Sequence, residues 1–122
     1  MATGTIKTTG WKRLWTNPNP SVAFPAQTIS LDLSNYAEFV ITYRQWKDDS
    51  DISNQQYFFG YADKTITIMT PITSNGQVYL AGRRVTISST GITFGAAASK
   101  TSLNGNATTD NGWIVPYQIY AR

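Results

Sequence analysis

Apolar and polar residues alternate along most of the chain with a period of two. The stretch from Thr28 to Ser34 shows it best: Ile29, Leu31 and Leu33 fall on one side, and Thr28, Ser30, Asp32 and Ser34 on the other. Successive strand side chains point to opposite faces, so this spacing predicts a half-buried strand. Residues 38–46 repeat it, with Phe39, Ile41 and Tyr43 inward and Thr42 and Arg44 outward. Residues 10–16 place Trp11, Arg13 and Trp15 on one face and Lys12, Leu14 and Thr16 on the other. Shorter strands are predicted at 57–61, 64–72, 77–81, 84–88 and 91–95. A closing strand at 113–120 puts Trp113, Val115, Tyr117 and Ile119 on one face.

Turn residues punctuate these runs. Two Asn-Pro steps in residues 16–20 disfavour helix before each proline, and Pro25 keeps the connection from 17 to 26 irregular. Asn75-Gly76 tolerates the positive φ that a tight hairpin needs. Ser89-Thr90 marks a second hairpin. Gly60 suggests a bulge or close backbone approach, and Pro71 and Pro116 each suggest an edge or a bulge. The stretch 96–112 is the weakest; it reads as a mobile loop, or a short helical turn at Ala96, Ala97 and Ala98. About nine short strands with turns every 8–12 residues predict an all-β fold: a single-domain antiparallel β-sandwich or jelly roll. Residues 1–10 form a flexible or edge-strand lead, and residues 11–122 the domain.

Composition narrows the chemistry. The chain has 122 residues with no Cys and no His, so no disulfide, thiolate metal site or Ser-His-Asp arrangement can be drawn within it. Glu38 is the one glutamate, and nothing sets two carboxylates at a glycosidase separation. The expectation is a protein without catalysis or cofactor. Net charge is +3 with no dense basic run, which argues against nucleic acid. No apolar run approaches the ~20 residues of a membrane span. The opening residues lack the apolar core of a signal peptide, so the chain is expected to be made in a cytoplasm and not exported by the general route.

Candidate binding residues are few. Asp49, Asp51 and Ser53 fall at the alternating positions that begin a calcium loop, but the sixth position is Asn54 rather than Gly and the twelfth is Gly60 rather than Glu. A solvated hairpin loop is the plainer reading; a weak calcium site is the other. Aromatic residues make up 13% of the chain. Most belong to the core by their spacing. Trp11, Trp15 and Trp46 lie beside charges near strand ends, and flat rings there suit sugar stacking or protein contact. Trp46, Asp49, Asp51 and Tyr57 are therefore candidate ligand contacts, and Trp11 and Trp15 candidate protein contacts. Arg83 and Arg84 follow Gly82 between two predicted strands. Such a pair suits an anionic polymer such as teichoic acid, or serves as an edge charge that blocks aggregation. Asn106-Ala107-Thr108 matches the N-glycosylation pattern, which carries little weight without a signal peptide.

One segment has a recognisable cadence. Leu14 to Pro20, Phe24, Gln27-Thr28, Leu31-Asp32-Leu33 and Tyr36 match a pattern LWTNPNP, F, QT, LDL, Y. Arg84, Ser89-Thr90-Gly91, Phe94-Gly95, Pro116 and Ile119-Tyr120 match two later segments. In these the chain resembles small uncharacterised proteins from the tail-fibre and baseplate region of phages and prophages of Gram-positive gut bacteria. The resemblance spans nearly the whole chain. It implies a virion-associated β-protein with no enzymatic role and no defined site residues. Two functions fit that setting. One is a tail-fibre or tail-tip component binding a host cell-surface polysaccharide. The other is a structural virion protein, such as a capsid decoration or baseplate component, binding other virion proteins. A free-standing carbohydrate-binding module is a third reading, weakened by the absence of an attached catalytic domain. Tail and capsid fibres are commonly trimeric, and oligomers bury sheet edges. A homotrimer is the favoured assembly, with Ala96-Ala97-Ala98 at its axis.

Overall fold

A computed structural model describes residues 10–48, 55–60, 64–74, 76–100 and 106–122. Nine strands follow one another: β1 (Lys12–Thr16), β2 (Gln27–Ser30), β3 (Glu38–Trp46), β4 (Gln55–Gly60), β5 (Thr65–Ser74), β6 (Gln77–Ser88), β7 (Gly91–Lys100), β8 (Thr108–Thr109) and β9 (Trp113–Ala121). They form two antiparallel sheets, ordered β1-β9-β3-β4 and β2-β7-β6-β5, with β8 pairing β7 beyond the end of β2. This is an all-β sandwich. The ends of the chain nest, β1 against β9 and β2 against β7, and the middle runs as hairpins.

Phe39, Ile41 and Tyr43 of one sheet face Ile68, Val85, Ile87, Ile92 and Phe94 of the other, and all are buried. Ile29, Leu31 and Leu33 do share the covered side, although the strand proper stops at Ser30. Beyond it Leu31 N and Leu33 N still donate to the carbonyls of Thr90 and Ser89 at 3.0 and 2.9 Å. Both expected hairpins form, with Ser74 opposite Gln77 and Ser88 opposite Gly91. Gly76 takes φ +75°, as an Asn-Gly turn requires. Pro71 lies in β5, at a sheet edge, where its missing N–H costs little.

Four expectations need correction. Residues 77–81 and 84–88 are one strand, so Gly82, Arg83 and Arg84 lie inside β6 rather than between strands. The stretch from Ala96 to Ala98 is strand, not loop or helix: β7 continues to Lys100, and Ala97 is buried opposite Arg83. Thr42 and Arg44 do point away from the core but are buried. Thr42 Oγ1 accepts from Gln118 N at 3.0 Å, and Arg44 Nη1 donates to the Lys47 carbonyl at 2.7 Å. Finally, alternation breaks in β1 and β9. Bulges between Arg13 and Trp15, and opposite Thr42 and Tyr43, put Leu14 and Trp15 both half-buried and bury Ile114 beside Val115.

Candidate functional site

β3 is nine residues long, and an aromatic cluster sits at each of its ends. At the C-terminal end Trp46 pairs with Trp113 of β9, and their ring centroids are 4.5 Å apart. Tyr79 of β6 comes from the other sheet to within 5.9 Å of the Trp113 ring. Lys47 Nζ lies 5.5 Å above the Trp46 ring. All three rings are half-buried. Gly112 makes the packing possible: a Cβ there would lie 2.6 Å from Trp46 Cζ3. The Gly112 carbonyl accepts from Lys47 N at 2.9 Å, and Gly112 N donates to Asp110 Oδ1 at 2.9 Å. Asp110, exposed, therefore borders the rings, and exposed Asp48 follows Lys47 along the chain. Flat apolar faces beside a carboxylate and an ammonium suit a ligand with apolar faces and many hydroxyls.

Of the residues expected to bind, Trp46 stands in this cluster. Asp49, Asp51 and Ser53, with the calcium-loop question, lie outside the described residues. Among the described residues no group of acidic side chains is placed to hold a metal ion. Tyr57 is part of the core margin: it is half-buried on β4, opposite Ile41, with its ring 6.3 Å from that of Phe59. Trp15 packs inward on part of its surface, with ring centroids 6.0 Å from Phe24 and 6.5 Å from Phe94, and stays half-buried. Arg84 is exposed at a bulge in the β6–β7 pairing.

Arg83 is the sharpest correction. It is 1% exposed, so neither a polymer ligand nor solvent reaches it. Its Nε donates to the Ile114 carbonyl at 2.9 Å. Nη1 donates to the carbonyls of Phe24 and Gly95 at 2.9 and 2.8 Å. Nη2 donates to those of Asn111 and Trp113 at 3.2 and 3.0 Å. A guanidinium has five N–H groups, and each has a carbonyl. The charge ties the 17–26 connection, the β7 bulge and the turn into β9 to one point. Burial pulls its pKa down to about 10, which leaves it protonated at neutral pH. Ile114, one of the residues held, has φ +46°, a conformation disfavoured for a β-branched side chain.

Trp113 and Tyr79 were missed as site residues. Trp113 was read as core because it shares its face with Val115 and Ile119. The signal available was its spacing from Asp110, Asn111 and Gly112, turn residues that place a ring at a strand start. Nothing local marks Tyr79, which joins the cluster from the opposite sheet.

Many residues that carry the phage-protein resemblance are scaffold. Asn17 is buried and its Nδ2 donates to the Pro116 carbonyl at 2.8 Å. Phe24 and Phe94 meet edge-on at 5.4 Å. Asp32 Oδ1 accepts from Ser34 N and Oγ at 3.1 and 2.6 Å, closing a turn. No family model, curated protein or solved structure matches the chain.

Proposed function

We propose that the chain is a non-enzymatic, virion-associated phage protein, a tail-fibre or tail-tip component that binds a host surface glycan at the Trp46 end of the sandwich. The observation that carries this reading is the joined trio of half-buried rings, Trp46, Trp113 and Tyr79, bordered by Lys47 and Asp110. The phage setting rests on the sequence resemblance alone. A second reading, a structural virion protein that binds other virion proteins, draws support from apolar side chains left on the sheet surface, Met69 at 54% and Val78 at 63% exposure.

Binding of purified protein to intact Gram-positive cells, before and after removal of wall polysaccharide, separates the two. The glycan reading expects binding that is lost on stripping. It also expects Gly112→Ala, which displaces the Trp46 ring, to weaken binding about tenfold, equivalent to about 1.4 kcal/mol. Absence of binding at micromolar protein overturns it in favour of the structural role.

A further inference from the structure

The opposite end of β3 carries a cleft of about 270 Å³, bounded by Trp11, Glu38, Phe58 and Arg122. Phe58 is 61% exposed on β4, an edge strand, yet its ring is fixed: it meets Trp11 edge-on with centroids 6.1 Å apart. Trp11 is held in turn by the Arg122 guanidinium, 4.5 Å from the indole centroid. Arg122 Nε donates to Glu38 Oε1 at 2.8 Å. Arg122 N and the Glu38 carbonyl also pair at 3.0 Å, so the backbone beneath is strand-like and firm. The result is a rigid aromatic shelf beside an ion pair.

The pair uses only part of its hydrogen-bonding capacity. Both terminal nitrogens of Arg122 and the second carboxylate oxygen of Glu38 have no partner among the described residues. Among the described residues, the side chains that line the cleft carry one cation and one anion. It offers a flat apolar face, directed donors and one acceptor, in a volume below the about 300–1,000 Å³ of drug-sized sites. A flat apolar patch for protein would not need directed groups in a walled recess. We propose that this cleft takes one pyranose ring of an uncharged glycan. The C–H face of the sugar lies on Phe58, and its hydroxyls accept from Arg122 and donate to Glu38. The proposal stands whether or not the Trp46 end binds anything.

The test is amide and indole NMR of the labelled whole chain. The probes are methyl glucoside, methyl galactoside and methyl N-acetylglucosaminide, each taken to about 50 mM so that a millimolar site fills. The expected result is a saturable shift of the Trp11 indole N–H and the Phe58 and Phe59 amides with at least one probe. Phe58→Ala removes only an exposed ring; it should raise the apparent Kd about tenfold while the core signals stay in place. Glu38→Gln should weaken binding with Phe58 intact. No saturable shift at Trp11 with any probe overturns the proposal, as does a shift that survives Phe58→Ala. A shift confined to Trp46 and Trp113 overturns it too, while leaving the reading of that other end in place. Broadening of the Trp11 signals with protein concentration, before sugar is added, would assign the cleft to a protein contact instead.

Discussion

Arg83 is a buried charge with no carboxylate on it. Carbonyl dipoles replace its water, a hydrogen bond to a charged group contributing about 1.5–3 kcal/mol net. Removing the guanidinium strands five acceptors and frees three segments at once. Arg83→Met is therefore expected to lower the unfolding free energy by about 3–5 kcal/mol, whereas Arg84→Ala, at an exposed position, should change it by less than about 0.5 kcal/mol. Urea unfolding of both variants checks this, and equal midpoints would refute the hub. Asp32 supplies a second test at this scale. Its pKa is lowered from 3.8, first by the Ser34 hydroxyl and then by the Ser34 N–H. A lowered carboxylate holds its proton less tightly when folded than when unfolded. Its contribution is thus present above the unfolded value and is lost as pH falls through the folded one. Ser34→Ala should move the Asp32 titration, followed by carboxyl NMR, back up towards 3.8.

At the scale of elements, β3 and both hairpins were legible because a period of two and their turn residues agree. The bulged strands were not, since a bulge leaves each residue's type unchanged while turning its face. β6 was misread for another reason. Gly82 and two arginines look like a break, although Ala81, Arg83, Val85 and Ile87 keep perfect alternation on the buried face. Carried across Gly82, that alternation puts Arg83 on the buried face; a glycine followed by two charges masks the continuity. Of the candidate site, Trp46 was readable from one strand, whereas Tyr79 needs the second sheet brought over it, which no local pattern encodes. The close approach of β2 to β7 gives the element-scale prediction. A Cβ on Gly91 would lie 2.5 Å from the Ile29 carbonyl oxygen, and backbone cannot swing aside. Gly91→Ala should cost about 1–3 kcal/mol. It should also strip hydrogen-exchange protection from residues 27–30 before β3 or β9 is affected. Unchanged protection there would show that β2 docks without that contact.

For the whole molecule, β3 acts as a spacer. At about 3.3 Å per residue its two ends stand about 26 Å apart, so the two aromatic clusters are separate sites. Substitutions at one should leave ligand shifts at the other unchanged, because residues more than about 10 Å apart with no shared partners act independently. The proposed trimer cannot use Ala97 at its axis, since that side chain is already buried against Arg83 within the chain. Exposed strand edges and the apolar surface of Met69 and Val78 are the faces left for it. Sedimentation equilibrium is expected to give three times the 13.5 kDa chain mass, and a single-chain mass would remove the trimer from the reading.

Every acceptor of the Arg83 guanidinium is a main-chain oxygen, and all twenty residue types possess one. The clasp is therefore blind to side-chain identity in the loops it secures. A library that randomises residues 106–109, just ahead of Asp110 and the Trp46 cluster, should keep its fold in most members. Diversity at the rim of a binding surface would then be decoupled from the clasp that secures the scaffold behind it.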